Sequence, residues 1–252
     1  MRWLCFLLAS SAAAQGPVSS GATAPVKSLR FDLALIPATR DSFGIFIRRG
    51  LRGYIVWQYE IQQTEQRQIV LYTQSSELQP IEEERFRVEL NRLNALPLSS
   101  YYHVELFTPT DTIMVEHNIR IDDGRVVGRR RVGTKDGKIH TMDVNTPIAP
   151  GTVWFNYQLY AAAVTNAVPG DSLSVPDYIE DRDSVGVLTV IAEQPTTIRV
   201  PAGQFDVLPL RSNQFRVYVT RSAPRRVVKG ETLDGVFSFE LLRSAAVVPS
   251  QP

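Results

Sequence analysis

Cysteine is nearly absent. The one thiol, Cys5, lies at the start of a 252-residue chain, so no disulfide within the chain is available to hold the fold. Net charge is nearly absent too: 27 Lys and Arg stand against 26 Asp and Glu, and so balanced a chain has no field to draw it to nucleic acid or an anionic membrane. No G-x-S-x-G elbow, D-[ST]-G pair or G-x-G-x-x-G loop occurs, which leaves the common nucleophilic, aspartyl and dinucleotide-binding classes without a signature. No apolar run approaches the roughly 20 residues that a spanning helix needs, so no integral membrane span is expected.

What is present begins with MRWLCFLLASSAAAQG. One basic residue, an apolar run from Trp3 to Leu8 and small residues ending in Ala12-Ala13-Ala14 have the order of a secretory signal peptide over 1–14. The expected location is periplasmic or secreted. Cys5 sits too early to follow a full apolar region, which argues against a lipid-modified cysteine, and cleavage after Ala14 removes the thiol. Residues 15–28 are Pro-, Gly-, Ser- and Ala-rich without periodicity and read as a flexible leader. A single antiparallel β domain is expected over 29–243, followed by a disordered tail over 244–252.

From Leu29 onward the dominant period is two, the pattern of half-buried strands. Strands are predicted at 29–36, 52–61, 68–74, 84–90, 101–107, 112–121, 125–132 and 138–144. A second group is predicted at 173–179, 185–192, 196–200, 205–210, 215–220, 225–231 and 235–242. Between them lie DDG at 122–124, DG at 136–137, PAG at 201–203 and DG at 234–235, which supply the positive φ of tight hairpins and so predict sequential antiparallel pairing. The expected fold is mainly β, a bent antiparallel meander.

One segment departs from this period. In residues 152–171, Trp154, Tyr157, Tyr160, Ala161 and Val164 recur at helical spacing, Thr152 is placed to cap the N-terminus, and Pro169-Gly170 stops the run. The expectation is one helix packed on the concave face of the sheet. Its aromatic side chains, Trp154, Tyr157 and Tyr160, are either core or the wall of a groove for a lipid or other apolar small molecule.

The C-terminal succession VPAGQFDV, a strand, APRRVVKGE, a DG turn and FSFEL resembles the end of a family of uncharacterised exported bacterial proteins, a domain of unknown function. That family is similar in architecture to the lipoprotein carriers LolA and LolB. The resemblance implies a half-barrel-like sheet with helical cover, and in the carriers acyl chains lie between the two. It carries no catalytic signature.

The remaining candidates are weighed by geometry. His103, His117 and His140 fall on separate predicted strands, and a zinc site would need them to converge with a fourth ligand. Asp177, Glu180, Asp181 and Asp183 read first as a solvated loop, with Arg182 among them, and second as carboxylates for calcium or hydrolysis. In GRRRVG, Arg129 and Arg131 should face one way and Arg130 the other. Arg225, Arg226 and Lys229 follow Pro224, which suggests a charged sheet margin or a bulge. No catalytic residue, cofactor site or metal site is assigned. The expected function is an exported envelope binding or scaffolding protein without catalysis, which carries an apolar ligand or meets an envelope protein. The alternatives are a carboxylate-dependent envelope hydrolase, using a histidine near Asp181 or Asp183, and a structural interaction domain that assembles through a sheet edge.

Overall fold

The computed structural model describes residues 38–63, 68–78, 82–91, 93–108, 111–133, 137–154, 165–180, 182–212 and 215–247. The predicted signal peptide and leader, the strand expected at 29–36, Tyr157 and Tyr160 lie outside the described residues. The described chain is almost wholly strand. The first half comprises β1 (Thr39–Ile47), β2 (Gly50–Gln63), β3 (Gln68–Leu78), β4 (Glu82–Asn91), β5 (Pro97–Thr108), β6 (Asp111–Asp122), β7 (Arg125–Gly133) and β8 (Ile139–Pro147). After them come β9 (Val153–Trp154), β10 (Ser172–Ile179), β11 (Ser184–Ala192) and β12 (Thr196–Val200). The last four are β13 (Gly203–Arg211), β14 (Phe215–Thr220), β15 (Val227–Thr232) and β16 (Phe237–Ala246).

The period-two pattern becomes burial directly. Along β4, Phe86, Val88 and Leu90 are buried while Glu83, Arg85 and Arg87 are exposed. The β6–β7 turn is the two-residue type I′ that DDG predicts, with φ of 44° at Asp123 and 70° at Gly124 between the paired Asp122 and Arg125. The β1–β2 turn has the same form without glycine. Arg48 and Arg49 both take positive φ, 49° and 69°, between the paired Ile47 and Gly50.

All strands belong to one sheet, in the order β8-β7-β6-β5-β4-β3-β2-β1-β16-β15-β14-β13-β11-β10-β9, with β12 added beside β13. The chain starts at the centre, runs out to one edge at β8, crosses to the other edge at β9, and returns to pair β16 with β1. Laid flat at about 4.8 Å per strand, these edges would stand well over 50 Å apart. The connection between them is only residues 148–152, which span at most about 20 Å. The sheet therefore curls until its edges approach each other, without hydrogen-bonded closure into a barrel among the described residues.

The centre is tied by aromatics from both halves. The Phe43 and Trp57 rings lie 4.4 Å apart, each is 5.5 Å from Phe239, and Phe215 stacks on Phe239 at 6.0 Å. Gly230 makes room for this: a Cβ there would lie 2.3 Å from the Phe239 ring and 2.7 Å from the Phe215 ring.

Three expectations change. The predicted helix is not found at either described end of its segment: Val153 and Trp154 are strand, paired in parallel with Asp177 and Tyr178, and 165–171 is non-helical. Thr152 does not cap a helix but donates its hydroxyl to the Ala149 carbonyl at 2.6 Å. Residues 155–164 lie outside the described residues. Strand β1 was not predicted, because the inward positions Thr39 and Asp41 are polar and a bulge between Ser42 and Phe43 breaks the alternation. Strand β16 continues to Ala246, inside the stretch expected to be tail, because Thr39 pairs with Ala246.

Two substitutions test this packing. Gly230→Ala, which forces a methyl group into the Phe239 and Phe215 rings, should lower stability by about 1–3 kcal/mol in urea titration. Replacing Arg48-Arg49 by Asn-Gly, residues suited to positive φ at both positions, should raise it by about 1 kcal/mol.

Candidate functional site

The curl brings two parts of the sheet face to face, and a buried polar seam forms where they meet. One wall is set by register. Tyr102, His117 and Arg130 are successive cross-strand partners on β5, β6 and β7, and Ser100, Ile119 and Gly128 occupy the neighbouring row. The imidazole of His117 stacks on Tyr102 at 5.1 Å and 24°, and Tyr102 meets Phe86 edge-on at 6.3 Å. A histidine held between strands in this way is both buried and oriented.

The other wall is the β10–β11 hairpin and its tip. Arg182 N–H donates to the Ile179 carbonyl, and Asp183 takes φ of 48°, which turns the chain back over the first wall. Ser100 Oγ–H donates to Glu180 Oε1 at 3.1 Å; His117 Nε2 lies 3.6 Å from the same oxygen and 3.4 Å from Ser100 Oγ. All three side chains are buried. On the β8 side, Asp183 Oδ1 accepts from Thr146 Oγ1–H at 2.5 Å and from Tyr178 O–H at 2.9 Å. The Trp154 ring lies 6.5 Å from Tyr178.

Burial, and then the nearby Glu180 charge, push the Asp177 carboxyl up to about 7. Tyr178 is held well above the usual phenol range by burial and by its hydrogen bond to Asp183. A second interior carboxyl, Glu82 on β4, is pushed up to about 8 by burial with the Glu84 charge beside it. Among the described residues, His117 Nδ1, Trp154 Nε1 and Asp177 Oδ1 are buried without a hydrogen-bond partner, as is Arg130 Nε.

This arrangement joins a serine, a histidine and a glutamate, yet it lacks a relay. Ser100 and Glu180 both approach Nε2 of His117, while Nδ1, where an orienting carboxylate would sit, has neither. The serine hydroxyl donates to the carboxylate, not to the imidazole. The geometry holds two walls together.

The predicted candidates are distributed as follows. Trp154 is 0% exposed in β9. His103 is on the opposite face of β5 from Tyr102, between Glu105 at 3.3 Å and Glu116 at 3.4 Å, and His140 is exposed on β8. His117 alone reaches the acidic segment, at Glu180 and not at Asp183; Asp181 lies outside the described residues. That segment is not the solvated loop expected, since Asp177 and Glu180 are both buried, Glu180 against the first wall. Arg129 and Arg131 do face away from Arg130, and they pair with Asp143 and Glu116. Arg225 donates to the Thr165 carbonyl at 2.8 Å, and Lys229 lies between Glu231 and Glu240. Of the two expectations, margin or bulge, the second is met: β15 is flanked by β14 and β16, and its register with β14 shifts at Tyr218/Val219, opposite Lys229 and Val227. Ser100 went unnoticed in the sequence; its only signal was a small polar residue at an inward position of a strand.

No family model matches the chain, and no curated protein does. Two solved structures are similar to it. One is a beta-barrel-like protein of domain of unknown function DUF1849 from Brucella abortus, 12% identical over 83% of this chain and 97% of that one, with a TM-score of 0.44. The other is a candidate lipoprotein from Parabacteroides distasonis, 14% identical over 87% of this chain and 100% of that one, with a TM-score of 0.31. Neither is named as a LolA or LolB carrier.

The interior carboxyls give stability a pH dependence. Asp177 and Glu82 titrate near 3.8 and 4.5 when free and at about 7 and 8 when folded, so in between the folded chain holds protons that the unfolded chain has released. Stability should be highest below this window, fall across it by up to about 1.4 kcal/mol per pH unit for each group, and level off once pH has passed the folded values of 7–8. Melts at pH 5.5 and pH 9 check this: the midpoint should be lower at pH 9, and Asp177→Asn with Glu82→Gln should flatten the difference.

Proposed function

We propose that this chain is an exported envelope protein that binds or scaffolds and does not catalyse. Export rests on the signal-peptide pattern of residues 1–14. The reading without catalysis rests on one observation above others: Ser100 and Glu180 share one nitrogen of His117, inside a seam from which solvent is excluded. Between the two forms of the reading, the complete burial of Trp154 beside Tyr178 favours a filled interior at β9 over an open groove there. Carriage of a lipid or other apolar ligand, as in the LolA and LolB carriers, then depends on Tyr157 and Tyr160. The scaffold form needs no such groove.

The second reading, an envelope hydrolase, is favoured by the approach of His117 to Glu180 and Ser100, though not to Asp183. One set of assays separates the readings. Wild-type protein and Ser100→Ala should show the same background on ester, amide and glycoside probes, and solvent extraction followed by mass spectrometry should return no stoichiometric lipid. Turnover that Ser100→Ala abolishes would establish the hydrolase, and one lipid per chain would establish the carrier.

A further inference from the structure

The β10–β11 hairpin extends past the strand that should flank it. Pairing of β11 with β13 is confined to Ile191 and Ala192, whereas its pairing with β10 runs over the whole of 184–191. Among the described residues, 184–190 has no strand on its β13 side.

Hydrogen-bond parity identifies which groups face that side. Ala192 N–H donates to the Asp171 carbonyl, so the even residues of β11 bond back to β10; Glu193 N–H donates to the Pro209 carbonyl, so the odd residues face the other way. Val185, Val187 and Thr189 therefore direct their backbone N–H and C=O groups to the open edge. Val185 is 57% exposed and Val187 is 72% exposed. The strand sequence SVGVLTVIA has no charge and no proline, the two common devices that keep an edge from pairing.

The margin at β8 is different. There, Ile148 N–H donates to the Gly124 carbonyl, so the odd residues of β8 face outward, and Arg125 Nη2–H covers the Asn145 carbonyl at 2.7 Å. His140 and Asp143 are exposed along the same strand. One margin is guarded and the other is not.

We infer that β11 is an interaction edge, and that its occupant is β11 of a second copy, paired antiparallel about Val187. The sequence is self-complementary in that register. Val187 meets Val187 of the second copy and Val185 meets Thr189, so β-branched side chains oppose one another on the exposed face. On the other face Gly186 lies opposite Leu188, leaving space for the longer side chain. The pairing spans 185–189 and stops short of Ile191, whose outward side Arg211 of β13 already takes. The odd-to-odd pairs are the hydrogen-bonding pairs, which gives about six new backbone bonds and covers both exposed valines. The inference refines the scaffolding reading and rests on it only for the idea that assembly is the function.

The test is sedimentation and light scattering of the purified protein from about 1 to about 100 μM, beside Val187→Thr and Val187→Lys. Wild type and Val187→Thr should form dimers. Val187→Lys sets two ammonium groups opposite each other and should raise the dissociation constant at least about tenfold, while its melt matches wild type at concentrations where both are monomeric, because the side chain is exposed in the monomer. Amide exchange of wild-type Val185, Val187 and Thr189 should slow as dimer forms, a readout that does not depend on any variant. A wild type that stays monomeric throughout, or a Val187→Lys dimer of wild-type strength, would overturn the inference. A monomer that binds another uncharged extended peptide would also overturn the choice of a second copy, yet would leave the scaffolding reading standing.

Discussion

The short crossing at residues 148–152 is the constraint on which the rest of the structure depends. The chain lays down eight strands outward from the centre and must then reach the opposite margin within a few residues. A flat sheet cannot satisfy that, and the twist of neighbouring strands supplies the direction in which it bends. Once the sheet curls, its concave side becomes an interior, and the central aromatics and the polar seam fall within it.

The two parts of this interior differ in physical kind. At the centre, Phe43, Trp57, Phe215 and Phe239 contribute burial and ring contacts, which are strong but tolerant of small displacement. At the seam, Ser100, His117, Tyr178, Glu180, Asp183 and Thr146 are joined by hydrogen bonds and close polar approaches with narrow geometry. Such groups cost free energy to desolvate and recover it only when paired, so their net stabilisation is small, but they disfavour any closure in which the partners miss. The central contacts hold the sheet together, and the seam selects how its ends meet. The hairpin that supplies the inner wall of the seam also carries the uncharged edge at Val185, Val187 and Thr189, so closure and presentation of that edge are properties of one element.

Much of the fold was legible because alternation in a half-buried sheet is a local signal. The expected strands from 52–61 onward coincide with observed ones, and the Asp-Gly turn at 123–124 has the dihedrals its residues predict. Strand β1 was hidden by its own interior polar residues, and the β1–β2 turn by a pair of arginines in conformations usually given to Asn and Gly. The helix inferred from Trp154 illustrates a different limit: aromatic spacing alone does not reveal that Val153 and Trp154 pair as strand with Asp177 and Tyr178. The seam was least legible. Ser100 and Glu180 are 80 residues apart in sequence, and their contact exists only because the sheet curls, which no local pattern encodes. Sequence reasoning joined a histidine to the acidic segment only in the alternative hydrolase reading, and at Asp181 or Asp183, whereas His117 approaches Glu180; it read the segment first as solvated, with Arg182 among its charges.

The most direct measurement asks whether the two ends of the sheet meet in solution. Thr146 on β8 and Asp183 at the hairpin tip are hydrogen-bonded across the seam, and Cys5 is the only native cysteine, so the double variant Thr146→Cys, Asp183→Cys can be read without background from the described fold. Mild oxidation of the folded protein should close an intramolecular disulfide, detected by mass spectrometry as one linked peptide pair, with each single variant remaining reduced. Thiols that stay free under those conditions, or that link only between molecules, would contradict a curled sheet closed at this seam.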